Sequence, residues 1–152
     1  MNKNCGCNEP GMMILPCSGG TCEGRLADRA ARELTKEGTG RMFCLAGIAA
    51  GISGFVQSAK DTEQIVVIDG CDHACAETLL KNHGIRFAGH VIVSRLDIRN
   101  TDEDRLDPDD VAAVKQAVRL ACKLPVQKKF DSPRPLSPGD RARSRQLGGK
   151  CC

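Results

Sequence analysis

The run IVVIDG at residues 65–70 constrains this chain more than any other stretch. Four consecutive β-branched residues with no polar alternation fit a strand buried on both faces, and such strands belong to parallel sheets covered by helices on two sides. The flanking sequence repeats the same unit. MMILP at 12–16 is a short apolar run that ends at Cys17-Ser18-Gly19-Gly20. CEGRLADRAARELTK at 22–36 then sets Leu26, Ala30 and Leu34 on one helical face, with Gly38 as a stop. RMFCLA at 41–46 reads as a second strand, followed by glycine-studded 47–54 and a helix within ISGFVQSAK. After IVVIDG, a helix is expected over DHACAETLLKN, closed by His83-Gly84, and HVIVSRL at 90–96 reads as a fourth strand. Asp107 and Pro108 form the N-cap and first residue of a last helix, whose Val111, Val114, Val118 and Ala121 make one apolar stripe.

Strands alternating with helices predict an α/β fold of three layers. The expected sheet is mainly parallel, has about four strands and carries helices on both faces, a Rossmann-like arrangement. Residues 12–124 form this domain. A flexible leader, 1–11, precedes it with Cys5 and Cys7. Residues 125–152, rich in Pro, Gly, Ser and Arg, read as a disordered basic tail ending in Cys151-Cys152. The net charge of +3 hides an asymmetry, because residues 123–152 carry eight Lys or Arg against two Asp. With Phe130 alone near the start of that tail there is no stacking platform, so a nucleic-acid partner is not expected.

Ten cysteines among 152 residues imply either a disulfide framework or a thiol site. The longest apolar run near the N-terminus, MMIL, is too short for a signal peptide, and no run approaches a membrane span. The expected compartment is therefore cytoplasmic, with reduced thiols.

Cys17, Cys44 and Cys71 are spaced by 27 and 27 residues, about one strand plus its crossover helix. Each lies at or near the C-terminal end of an expected strand. In a parallel sheet those ends share one edge, where ligand crevices form. Neighbouring strands lie about 4.8 Å apart, so three adjacent strand ends span roughly 10 Å, within the reach of short loops. Cys75, four residues after Cys71, is expected on the same helix face as its neighbour. Four converging thiolates suit a tetrahedral zinc ion, and the same set could hold an iron–sulfur cluster. Gly19, Gly20, Gly47 and Gly70 would let the backbone approach such a centre.

LPCSGG (15–20), RMFCLAGI (41–48) and VIDGCDHAC (67–75) resemble the DGC family of zinc-binding proteins, named for Asp69-Gly70-Cys71 as they stand here. The resemblance covers roughly residues 12–98 and implies four chelating cysteines, which fall on Cys17, Cys44, Cys71 and Cys75. It leaves Cys22, the Asp72-His73 pair and the terminal cysteines outside the pattern.

Cys22, near the start of the first helix, reads either as an exposed accessory thiol at the mouth of the site or as an ordinary first-turn residue. Asp69 and Gly70 are accessory through the motif. His73 is expected to point away from Cys71 and Cys75 into solvent, His83 and His90 to be exposed, and Cys122 to lie in the core. The terminal cysteine pairs could capture and hand over a soft metal. The expected partners are a metal ion or metalloid and a protein that receives metal or sulfur. The competing class is a thiol-dependent enzyme for sulfur, selenium or redox transfer, with Cys17 or Cys22 as the carrier. CSGGTCEGR does not complete a cysteine phosphatase loop, because Glu23 stands where arginine is required and Arg25 comes too late.

Overall fold

A computed structural model describes residues 11–17, 19–98 and 106–122. The leader and tail, with Cys5, Cys7, Cys151 and Cys152, lie outside the described residues. The strands are β1 (Met13–Pro16), β2 (Arg41–Met42), β3 (Ile65–Asp69) and β4 (Gly89–Ile92). The helices are α1 (Cys22–Lys36), α2 (Leu45–Ala49), α3 (Ser53–Asp61), α4 (Cys75–Asn82) and α5 (Pro108–Ala121). The four strands pair in parallel in the order β2-β1-β3-β4.

The side-chain period of two sends alternate residues of the central strands to opposite faces. Ile14, Val66 and Ile68 pack with Leu26, Ala30 and Leu34 of α1 and with Val111, Val114 and Val118 of α5. Met13, Leu15, Ile65 and Val67 pack with Ile48, Ala59 and Leu80 from α2, α3 and α4. Each residue from Ile14 to Leu15 and from Ile65 to Ile68 is fully buried, as the uninterrupted apolar runs require. The three-layer α/β fold is the one expected, with α1 and α5 on one face and α2, α3 and α4 on the other.

Capping sets the helix starts. The Thr21 hydroxyl accepts from Gly24 N at 3.1 Å, and the Asp107 carboxylate accepts from Asp109 N at 2.9 Å with Pro108 as the first helical residue.

Three expected elements differ. The strand expected over 41–46 stops at Met42, because Cys44 caps α2 and Leu45-Ala46 are already helical. The strand expected over 90–96 ends at Ile92 and tightens into a 3₁₀ turn, Val93–Arg95. The helix expected from Asp72 begins only at Cys75, after a turn in which Ala74 adopts φ 47°, in the left-handed region.

This topology positions the site. From β1 the chain steps outward to β2, then crosses back to β3 on the other side and continues outward to β4. The direction of winding thus reverses between β1 and β3, and the crevice of an open α/β sheet lies beyond the C-terminal ends of such a pair. Cys17 directly follows β1, and Cys71 follows β3 by two residues.

Candidate thiol site

Cys17 is half-buried, and its backbone N–H donates to Ile68 O at 2.7 Å, which ties the loop after β1 to the end of β3. Its side chain packs with the apolar cluster under α2, α3 and α4. Cys71 is half-buried, and Cys75, the first residue of α4, is exposed as a residue. Partial burial of its sulfur pushes the Cys75 thiol up from its ordinary value, and repulsion from Cys17, Asp69 and Cys71 when these are ionised pushes it further. Cys75 therefore responds to Cys17 and Cys71, the cysteines of the two loops flanking the switch point.

Cys44 sits apart from this trio. Its Sγ accepts from Gly47 N at 3.3 Å and so serves as the side-chain cap of α2, exposed to solvent beside the edge strand. The β1–β2 pairing matches Ile14 with Met42, and its continuation sets Cys44 level with Pro16, one residue short of Cys17. The four expected residues thus follow strand ends at one sheet edge, and Cys75 responds to Cys17 and Cys71.

Other expectations need correction. Cys71 and Cys75 do not share a helix face, because Cys71 precedes the left-handed turn at Ala74. Cys22 is buried at 8% exposure and packs into the layer of α1 and α5, on the opposite side of the sheet from the Cys17 side chain. It is not a thiol at the mouth of the site. His73 is exposed as expected but does not point away from Cys71, since its Nδ1 lies 3.5 Å from Cys71 Sγ. Cys122 does lie against the core: its Sγ is 2.8 Å from Met12 Sδ, and burial pushes its thiol up.

Asp69 has a role that its position in the sequence does not reveal. It is 1% exposed, and its carboxylate accepts from Ala76 N at 2.8 Å and Glu77 N at 3.1 Å. Ala74 offers no side-chain cap to α4, so Asp69 caps that helix from the end of the preceding strand. His90, expected to be exposed, has a side chain only 18% exposed and brings Nε2 to 2.9 Å from Asp69 Oδ2. Its ring also meets Phe87 edge-on, with centroids 6.2 Å apart.

The glycines divide by role. A Cβ on Gly70 would lie 2.6 Å from Gly24 N, and one on Gly24 would lie 2.8 Å from Gly19 O. The loop after β1, the first turn of α1 and the loop after β3 are therefore stacked backbone to backbone. Gly47 passes beneath the Phe55 ring, while Gly20, expected to allow a close approach, has open space around its Cβ position. Gly24 was not among the expected site glycines. A glycine inside an otherwise helical pattern is the signal that could have found it.

Thiolates are the donors that zinc and other soft ions prefer. Among the described residues no group of three or more His, Cys, Asp or Glu side chains is arranged, as it stands, to hold a metal ion. The donors fit such an ion in kind and are gathered at one edge without being closed around a point. No helix among the described residues is long and apolar enough to cross a membrane.

Comparison with known proteins agrees with the motif reading. The relative found among curated proteins is the "Anaerobic and virulence modulator AnvM" of Pseudomonas aeruginosa, 26% identical over 87 residues. That alignment covers 57% of this chain and 66% of the relative, just under two thirds of its length. No solved structure matches. The DGC-domain profile matches residues 13–118, which span both core layers and every cysteine of the candidate site, and the chain belongs to the DGC-domain family.

Proposed function

We propose that the protein binds a thiophilic metal ion, zinc foremost, through the thiolates of Cys17, Cys44, Cys71 and Cys75. The placement of Cys17, Cys71 and Cys75 in the two loops that flank the β1/β3 switch point carries this reading, and the influence of Cys17 and Cys71 on the Cys75 thiol supports it. Cys44, at the next strand end, is the fourth donor. Bound there, the metal would supply a closed, substitution-labile thiolate centre. The chain's own residues supply the rest: Asp69 holds the start of α4, and Gly70 and Gly24 bring the two loops together.

The family points the same way, towards metal binding. The relative is named as a modulator, which favours sensing of a soft metal or metalloid over bulk storage. Anaerobically purified protein should carry about one zinc per chain, and Cys71→Ser should abolish stoichiometric metal. Retention of one metal per chain in that variant would contradict the assignment.

A second reading, thiol-dependent transfer of sulfur or selenium, draws on the imidazole of His73 beside Cys71 and on the half-buried Cys17. Cys22 is too buried to serve as the carrier in it. Labile sulfane sulfur on metal-free protein as purified would favour this reading over the first.

A further inference from the structure

Beneath the thiol site, β4 reaches α4 through the His90 side chain. Pairing of Val67 with His90 places the imidazole beside β3, and Asp69, two residues beyond Val67, lies on the same face of that strand. A carboxylate oxygen can only accept, so the 2.9 Å contact with Asp69 Oδ2 requires His90 Nε2 to carry the proton. Three donors then converge on one buried carboxylate: Ala76 N, Glu77 N and His90 Nε2. His90 Nδ1 in turn faces Glu77 Oε1 at 3.7 Å, so the ring contacts the first turn of α4 directly as well as through Asp69.

Two consequences follow. With Nε2 committed to Asp69, His90 is not a metal donor through that atom. Asp69, held on three sides and 1% exposed, works from below the cysteines and not as one of the donors above them.

We propose that His90 is a positioning residue for the thiol site: by fixing Asp69 under the first turn of α4, it holds Cys75 at the sheet edge that carries Cys17 and Cys71. Its purpose rests on the thiol-site reading above, while its geometry stands without a metal. A ligating side chain is commonly oriented by a hydrogen-bonded partner behind it. Here the support is applied one step further back, to the helix turn that carries the ligand. Without the His90 donor, Asp69 Oδ2 loses one of its two partners, and the carboxylate is free to turn and release Ala76 and Glu77 N–H. The first turn then frays and the Cys75 sulfur loses the partial cover that it has there.

The test is pulse alkylation of metal-free protein with iodoacetamide, quantified at each cysteine by mass spectrometry. His90→Phe keeps a ring against Phe87 and removes the donor, while His90→Gln retains an N–H donor. Cys44, capped separately on α2, is the internal reference. Local opening of one turn should speed alkylation of Cys75 in His90→Phe by about threefold or more relative to Cys44, and His90→Gln should restore the wild-type ratio. An unchanged or slower Cys75, equal acceleration at every thiol, or failure of His90→Gln to restore the ratio would overturn the proposal.

Should His90→Phe not fold, nitrogen-15 spectra of the wild-type imidazole decide. A protonated Nε2 is required, and an unprotonated one overturns the proposal. A protein that takes up no zinc but shows the Cys75-selective change would sink the metal reading and leave the role of His90 standing.

Discussion

At Cys75, burial raises the thiol above its ordinary value, and the charges that Cys17, Asp69 and Cys71 carry when ionised raise it further. Its alkylation rate should follow a titration curve whose midpoint lies above the ordinary thiol value of about 8.5. Cys17→Ser removes one of the named charges and should bring that midpoint down. A wild-type midpoint at or below the ordinary value would contradict this environment. The linked effect on folding has a definite sign. Because the folded value is raised, the unfolded chain releases its proton first, and stability falls as pH climbs from the ordinary value towards the raised one. Metal uptake must displace the same proton, so it should strengthen as pH rises. That Cys17 and Cys71 lie at one sheet edge was legible in the sequence, because strand ends in a parallel sheet share an edge whatever the loop details, whereas Cys75 joins that edge through the turn at Ala74 and not through a shared helix face. The partnership of Asp69 with His90 was not legible, since it depends on the β3–β4 register between residues 21 positions apart.

Among the elements, the closest approach is made by glycines. Gly24→Ala improves helix propensity by about 1 kcal/mol, but its methyl would sit 2.8 Å from Gly19 O and 3.0 Å from Gly19 Cα. Both obstructing atoms are backbone, so the loop after β1 must move. Overpacking of this kind costs about 1–3 kcal/mol, and chemical denaturation should show net destabilisation. Gly20→Ala meets nothing within 4 Å and should change stability by no more than about 0.5 kcal/mol. Equal effects from the two substitutions would contradict the stacked-loop geometry. The element order was legible from β-branched runs and helical stripes, and the buried Val111, Val114 and Val118 of α5 follow the expected face. Boundaries were less so. An apolar run such as RMFCLA has no periodicity that separates a strand from the start of a short helix, and what ends β2 is a cysteine acting as a helix cap.

At the scale of the whole molecule, the sheet order determines which thiols can meet. Reversal of winding between β1 and β3 places Cys17 and the Cys71–Cys75 loop on either side of one crevice, with Cys44 one strand further out. On the far layer, α1 and α5 are held together by their apolar faces and by Lys115, whose Nζ donates to Glu33 and Glu37 at 2.9 and 2.8 Å. That layer also encloses Cys22, which removes it from the site. Equal spacing along the chain therefore brought Cys17, Cys44 and Cys71 to one sheet edge, while the layer that each side chain enters separated Cys22 from them. The most direct test is X-ray absorption at the zinc edge, on anaerobic protein loaded with one equivalent of zinc. The account predicts a shell of sulfur alone at about 2.3 Å, four atoms in the wild type and three sulfurs in Cys44→Ser. A nitrogen- or oxygen-dominated shell in the wild type, or a sulfur count untouched by Cys44→Ser, would contradict it.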